Sequence, residues 1–151
     1  MKTGPAAKKN SAKGLASLWT LEGRWHLTRR IRHGDGREDR LDGEAHFTRT
    51  GPRLVQDEKG ILIVGNQRLE AEQRYLWQAA GDRIDVYFSD NRPFHSIPLH
   101  DPAPRTVHLC PPDRYEVAYD FTGWPNWSAT WTVEGPRKDY EMRSDYRRKG
   151  D

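Results

Sequence analysis

The densest run of chemically capable side chains lies between Asp90 and Tyr119, where Arg92, His95, His108, Cys110, Asp113 and Tyr115 fall close together. Imidazole is the side chain whose ordinary pKa lies nearest neutrality, so His95 and His108 could exchange protons with a bound molecule as a catalytic acid–base pair. The Arg92 guanidinium could grip a carboxylate with two parallel hydrogen bonds. Asp90-Asn91 suits a tight turn, which places Arg92 at a rim. Pro93 marks a strand start or a bulge, and a bulge would turn His95 toward the side of Arg92. The Pro-rich loop Pro98–Pro104 then returns the chain and brings His108 alongside. One pocket shared by Arg92, His95 and His108 is therefore expected, against the alternative that the histidines face water or bond a loop. Cys110 follows His108 by two residues, a strand spacing that sets a thiol beside a base; a buried inert thiol is the other reading. His95, His108 and Cys110 would give three zinc ligands, but Pro111 follows at once and the short Cys/His spacings are absent, so no metal is expected.

A second group is aromatic. Tyr75, Trp77, Tyr119, Trp127 and Trp131 recur at strand-like positions, where they either line a cavity or fill it. Arg29 shares its alternation with Trp25, Leu27 and Ile31. If that face is internal, Arg29 needs a partner: an anionic ligand, or an acid such as Glu72 or Asp139.

These side chains must be positioned by strands. Period-2 alternation recurs along about ten short segments: Trp25 to Ile31, Gly43 to Phe47, Ile84 to Phe88, Tyr115 to Phe121 and Trp127 to Val133 are clear cases. Gly51-Pro52, Gly65-Asn66, Gly81-Asp82 and Gly135-Pro136 punctuate them as turns, and Gly60 suits a bulge. No segment shows the long helical pattern that a parallel sheet requires. Leu15, Leu18 and Leu21 suggest one or two helical turns before the first strand. The fold expected is all-β: an antiparallel up-and-down barrel of 8–10 strands, with a short N-terminal helix, over residues 15–151. Residues 1–14 are expected to be a disordered basic tail. Of the 25 Lys and Arg, four fall in that tail with no acid; the remaining 21 face 22 acids, so the barrel has no net basic character and nucleic acid is not an expected partner. Hydrophobic residues make up only 34% of the chain, yet six Trp, six Tyr and four Phe supply large rings that disordered chains lack. The lone cysteine, the missing signal-peptide pattern and the missing membrane-length apolar run point to a cytoplasmic protein without membrane contact.

Gly23-Arg24-Trp25, opening the first strand after a short helix, resembles the Gly-x-Trp opening of lipocalin-like (calycin) barrels, which include fatty-acid-binding and nitrobindin-type proteins. The resemblance implies that Trp25 closes one end of the barrel beneath a basic residue of the last strand, with Arg143, Arg147 and Arg148 as candidates. It also implies that an internal Arg29 could hold an anionic ligand, and that one histidine could serve a haem. The stretch from Leu21 to Arg147 is similar to a bacterial family known as domain of unknown function 6314. The similarity rests on Leu21-Glu22-Gly23-Arg24-Trp25-His26-Leu27-Thr28-Arg29, Arg74-Tyr75-Leu76-Trp77, Arg92-Pro93-Phe94-His95, His108-Leu109-Cys110 through Asp113 and Tyr115, and Gly135-Pro136-Arg137-Lys138-Asp139-Tyr140. Asn91 stands where other members carry Gly before Arg-Pro-Phe-His. The function expected is binding of a small anionic or aromatic molecule, with Arg29, Tyr75, Trp77, Arg92, His95, His108, Tyr115, Tyr119 and Trp131 as contacts. The alternatives are an enzyme using the His95–His108 pair, and an interaction module with a filled barrel.

Overall fold

The computed structural model describes residues 14–150. Ten strands follow one another: β1 (Gly23–His33), β2 (Glu38–Thr50), β3 (Arg53–Val64), β4 (Gln67–Ala80), β5 (Arg83–Phe88), β6 (Pro93–Pro98), β7 (Arg105–Cys110), β8 (Asp113–Asp120), β9 (Trp127–Glu134) and β10 (Asp139–Arg148). Each pairs antiparallel with its neighbour in sequence except β6 with β7, and β1 also pairs with β10, giving the order β6-β5-β4-β3-β2-β1-β10-β9-β8-β7. The two ends, β6 and β7, pack side by side without a backbone ladder among the described residues. The barrel is thus closed by β1–β10 and left with one unlaced seam. No helix is long and apolar enough to cross a membrane.

The expected N-terminal helix is a single 3-10 turn, Leu18–Leu21. Four residues cannot bury a helical stripe, and Leu18 and Leu21 serve instead as a plug at the barrel end. Gly14, counted with the tail from sequence, donates its N–H to the His100 carbonyl at 3.3 Å; residues 1–13 lie outside the described residues. Gly60 is not a bulge: the β2–β3 register runs through it unbroken, opposite Gly43. The glycines are needed because the strands approach closely there. A Cβ at Gly43 would overlap the Lys59 carbonyl oxygen.

A true bulge lies one hairpin later. Between β5 and β6 the register shifts, so that Val86 faces His95 and Tyr87 faces Pro93. Phe94 is the extra residue, and Phe94 and His95 are both buried in succession. Asn91, at φ 72°, turns the hairpin before it, a conformation Asn tolerates at low cost.

Candidate ligand site

One end of the barrel is dry and full. Trp25 is wholly buried and donates its indole N–H to the Leu21 carbonyl at 2.9 Å. The Arg148 guanidinium lies 3.9 Å above its ring and donates to the carbonyls of Glu22 and Thr20, both at 2.8 Å. One arginine of the last strand thus caps the Trp and ties down the 3-10 turn, as the Gly-x-Trp resemblance implied. Gly23, at φ +123°, lets the chain enter β1 directly beneath that guanidinium. Phe47, Trp77, Tyr119, Phe121 and Trp127 complete the plug, with Trp127 stacked on Tyr146 at 3.9 Å between ring centroids. Trp77 and Tyr119 therefore fill this end rather than line an opening.

His95 belongs to the same dry region. Its Nε2 shares a 2.8 Å hydrogen bond with the Tyr119 hydroxyl, and its Nδ1 is buried without a partner. Burial, aided by the nearby His108, pushes its pKa down to about 3. An imidazole held neutral so far below pH 7 is a weak base. Its packed ring also offers no open position to a haem.

A belt of buried polar groups crosses the barrel next to this plug. Arg29 on β1 donates from Nη2 to Glu58 Oε1 on β3 at 2.8 Å, and from Nε to Ser144 Oγ on β10 at 2.7 Å. Glu58 Oε2 accepts from the Tyr146 hydroxyl at 2.6 Å and from Gln56 Nε2 at 2.7 Å. Gln56 Oε1 accepts in turn from Trp77 Nε1 at 2.6 Å. Only 10% of the Arg29 side chain and 4% of Glu58 are exposed. Burial by itself would favour loss of the Arg29 proton; the Glu58 carboxylate and the Tyr146 hydroxyl outweigh it and hold the guanidinium charged. The internal partner of Arg29 is thus Glu58, not Glu72 or Asp139. A cavity of about 30 Å³ adjoins the pair, lined by Arg29, Leu41, Glu58, Lys59, Ala71, Glu72 and Gln73.

Beyond the belt the barrel opens. β5 covers only Tyr75–Ala80 of β4, leaving Gln67–Arg74 without a neighbour on that side, and the β6–β7 seam ends nearby. Rings from six strands cluster there: Tyr75 (β4), Phe88 (β5), Phe94 (β6), His108 (β7), Tyr115 (β8) and Trp131 (β9). Phe94 sits at the centre, 4.5 Å from Phe88, 5.1 Å from Trp131, 5.4 Å from His108 and 6.0 Å from Tyr115. Tyr75 closes the ring at 5.9 Å from Trp131. All but Phe94 are only partly buried. Burial and the Glu58 carboxylate raise the Tyr75 pKa, and Arg29 opposes them. At the lip, Lys138 donates to the Tyr115 hydroxyl at 2.8 Å and pairs with Asp113 at 3.3 Å.

Of the residues expected as contacts, the structure brings Tyr75, His108, Tyr115 and Trp131 together in this cluster, whereas Arg29 lies in the buried belt with Glu58. Trp77, Tyr119 and His95 lie in the dry plug. Arg92 is apart from all of them: it is exposed and pairs with Asp90 at 2.7 Å, its guanidinium over the outer side of the cluster 5.1 Å from Phe88. The bulge that turned His95 inward did not carry Arg92 with it, because Arg92 precedes β6 and is held by Asp90 in the hairpin turn. Cys110 is exposed at the strand end, and among the described residues no group of three His, Cys, Asp or Glu is placed to hold a metal ion. Glu58, Gln56 and Lys138 were missed from sequence. The signal for the first two was present: Leu54, Gln56, Glu58, Gly60 and Leu62 share one alternation, so an inward Leu54 makes Glu58 inward.

A much larger groove, about 1180 Å³, lies along β2–β4, lined by Arg24, Glu44, His46, Asp57, Lys59, Glu70, Glu72 and Arg74 among others. These belong mostly to the outward alternation and offset one another's charge, as Arg74 and Asp57 do at 2.7 Å. Its lining shares Glu58, Lys59, Ala71, Glu72 and Gln73 with the small cavity and includes none of the six clustered rings.

No curated protein matches the chain at a significant level. Among solved structures it is similar to the S-type phycobiliprotein lyase CPES from Guillardia theta, at 8% identity and TM-score 0.64, covering 95% of this chain and 98% of that one. It is also similar to a protein of unknown function of the DUF3598 family from Nostoc punctiforme, at 12% identity and TM-score 0.53, covering 89% of this chain and 49% of the other. Identities this low show a shared barrel fold. A family model matches residues 21–148, and on that match the chain belongs to DUF6314, a family of unknown function.

Proposed function

We propose that the protein binds a small planar aromatic or conjugated molecule at the mouth formed by Tyr75, Phe94, His108, Tyr115 and Trp131. The observation that carries this reading is the contrast between the barrel's two ends. One is packed dry beneath Trp25, whereas at the other six rings cluster and five of them, all but Phe94, stay partly open to water. Clustered half-buried rings beside a few fixed polar groups are the surface that flat apolar ligands seek. A lyase of phycobiliproteins, which shares the fold, is a neighbour consistent with a conjugated ligand. Arg29 does not favour an anion by net charge, because Glu58 already neutralises it. The exposed, solitary Cys110 supports a reducing compartment such as the cytoplasm.

Prodan, a neutral naphthyl ketone whose emission shifts to the blue in apolar surroundings, tests the site. One equivalent should bind with a blue shift, and Trp131→Ala should abolish the shift while the far-UV circular dichroism stays unchanged. An unshifted spectrum with the wild-type protein at millimolar concentration, or equal binding by the variant, contradicts the reading.

A further inference from the structure

Resting on that reading of the mouth, we propose that the Tyr115 hydroxyl, primed by Lys138, is the hydrogen-bond donor to a phenolate or enolate oxygen of the flat ligand. An ammonium group has only donors, so the 2.8 Å bond from Lys138 Nζ ends on the hydroxyl oxygen of Tyr115. The hydroxyl's own proton is left over, and among the described residues no acceptor takes it. The bond lies at an exposed position, which keeps that proton within reach of a ligand. The ring of the same residue belongs to the aromatic cluster, with its centroid 6.0 Å from Phe94, 6.0 Å from His108 and 6.3 Å from Trp131. A flat molecule lying on those rings meets one oriented donor at its edge.

Three contacts behind the hydroxyl hold it in place. Lys138 pairs with Asp113 at 3.3 Å, and only 16% of the Asp113 side chain is exposed. Asp113 packs directly on Gly135, where a Cβ would overlap its Oδ1. That glycine donates its N–H to the Lys138 carbonyl at 2.7 Å, which closes the turn between β9 and β10 and sets the ammonium 5.4 Å from the Tyr115 ring centroid. Charge decides the acceptor. A cation bonded to the hydroxyl oxygen draws electron density from the O–H, and such a donor gains most from an acceptor that carries negative charge. Lys138 stays charged, because its bonds to Tyr115 and Asp113 raise its pKa. Asp113 bonds Lys138 and not the hydroxyl, so the charge in contact with the donor is positive. The other ionisable neighbours do not compete among the described residues: His108 faces Tyr115 from β7 and Tyr140 lies beyond Val133 on β10, and neither bonds the hydroxyl. An ether oxygen accepts weakly by comparison, and a delocalised oxyanion matches both the flat rings and the primed donor.

2-Naphthol and 2-methoxynaphthalene carry the same rings and differ in whether the oxygen can ionise. Binding of each to the full-length protein is read by calorimetry, and ionisation of bound 2-naphthol by its absorbance beyond the tryptophan bands as the pH rises from neutral. Naphtholate should be favoured over naphthol about tenfold more by the wild type than by Tyr115→Phe, read as an ionisation midpoint about one pH unit lower in the wild type. Lys138→Met should move the midpoint up in the same direction. Lys138→Arg, which can still donate to the hydroxyl, should restore it, a rescue that a merely structural tie would not produce. A midpoint that neither Tyr115→Phe nor Lys138→Met moves, while 2-methoxynaphthalene binds the wild type, overturns the donor and leaves the aromatic mouth standing. A midpoint moved by Tyr115→Phe alone overturns the part given to Lys138. Failure of both naphthalenes to bind the wild type removes the mouth and this subsite with it.

Discussion

Removing Glu58 should be far more damaging than removing Arg29 and Glu58 together. Glu58 accepts three hydrogen bonds, from Arg29 Nη2 at 2.8 Å, Gln56 Nε2 at 2.7 Å and the Tyr146 hydroxyl at 2.6 Å, with only 4% of its side chain exposed. Glu58→Leu leaves the Arg29 charge inside the barrel with only the neutral hydroxyls of Ser144, at 2.7 Å, and Tyr146, at 3.5 Å, as acceptors. Breaking a buried pair from one side costs about 3–5 kcal/mol, mostly the penalty of the orphaned charge. Against a domain stability of about 5–15 kcal/mol, that single change brings the protein close to unfolding. In the double variant Arg29→Met/Glu58→Leu no charge is stranded, and apolar side chains replace the pair at similar volume. Its loss should be smaller than that of Glu58→Leu alone, despite the two donors on Gln56 and Tyr146 left to find water. Urea melts of the wild type, both single variants and the double variant complete a double-mutant cycle. The expected coupling is about 2–3 kcal/mol or more. Additivity within about 0.5 kcal/mol, or a Glu58→Leu cost below about 1 kcal/mol, would refute the claim that this ion pair is a sealed, mutually dependent element.

Three further outcomes follow from the same structure. His95 has its pKa lowered to about 3 in the folded protein against an ordinary value near 6.5, so the unfolded chain takes up a proton in that window that the native state refuses. Stability is full above about pH 6.5 and falls toward pH 3 by up to about 1.4 kcal/mol per pH unit from this group; His95→Phe should flatten the slope in acid urea melts, and an unchanged slope would show His95 is not the source. Trp25→Ala empties the plug beneath Arg148 and should cost about 3–5 kcal/mol by thermal or chemical melting, a prediction that fails if the midpoint does not move. Deleting residues 1–13 should leave the urea midpoint where it is, since their sequence has no apolar pattern to bury; a large drop would assign the segment a structural role.

Much of the architecture was legible in the chain because a half-buried strand must alternate. Trp25/Leu27, Tyr115/Val117/Tyr119 and Trp127/Ala129 wrote their inward faces directly into the sequence, and Gly23-Arg24-Trp25 marked the plugged end. The site was harder to read, for two physical reasons. A single inserted residue reverses every parity after it: the β5–β6 bulge at Phe94 buries Phe94 and His95 in succession, while Arg92, whose side was expected to match that of His95, stays in the turn before the strand. The second reason is that an internal charge chooses its partner by register across strands. Arg29 reaches Glu58 through pairings of β1 with β2 and β2 with β3 that no local pattern specifies. Glu72 and Asp139 were equally acidic choices. The aromatic mouth itself arises from absence of pairing, since β5 stops short on β4 and β6 does not lace to β7; rings that look alike in sequence become plug at Trp77 and mouth at Tyr75.

The central claim, that flat ligands enter at the aromatic mouth, is tested most directly by the indole N–H signals of the six tryptophans in a ¹H–¹⁵N spectrum titrated with 2-acetylnaphthalene. The Trp131 signal should shift progressively to saturation, together with the backbone amides of Tyr75, His108 and Tyr115. The Trp25 indole, bonded to the Leu21 carbonyl within the plug, should not move. Shifts confined to Gly43, Gly60 and Arg74 along the outer groove, or no shift of Trp131 at millimolar ligand, would contradict the account.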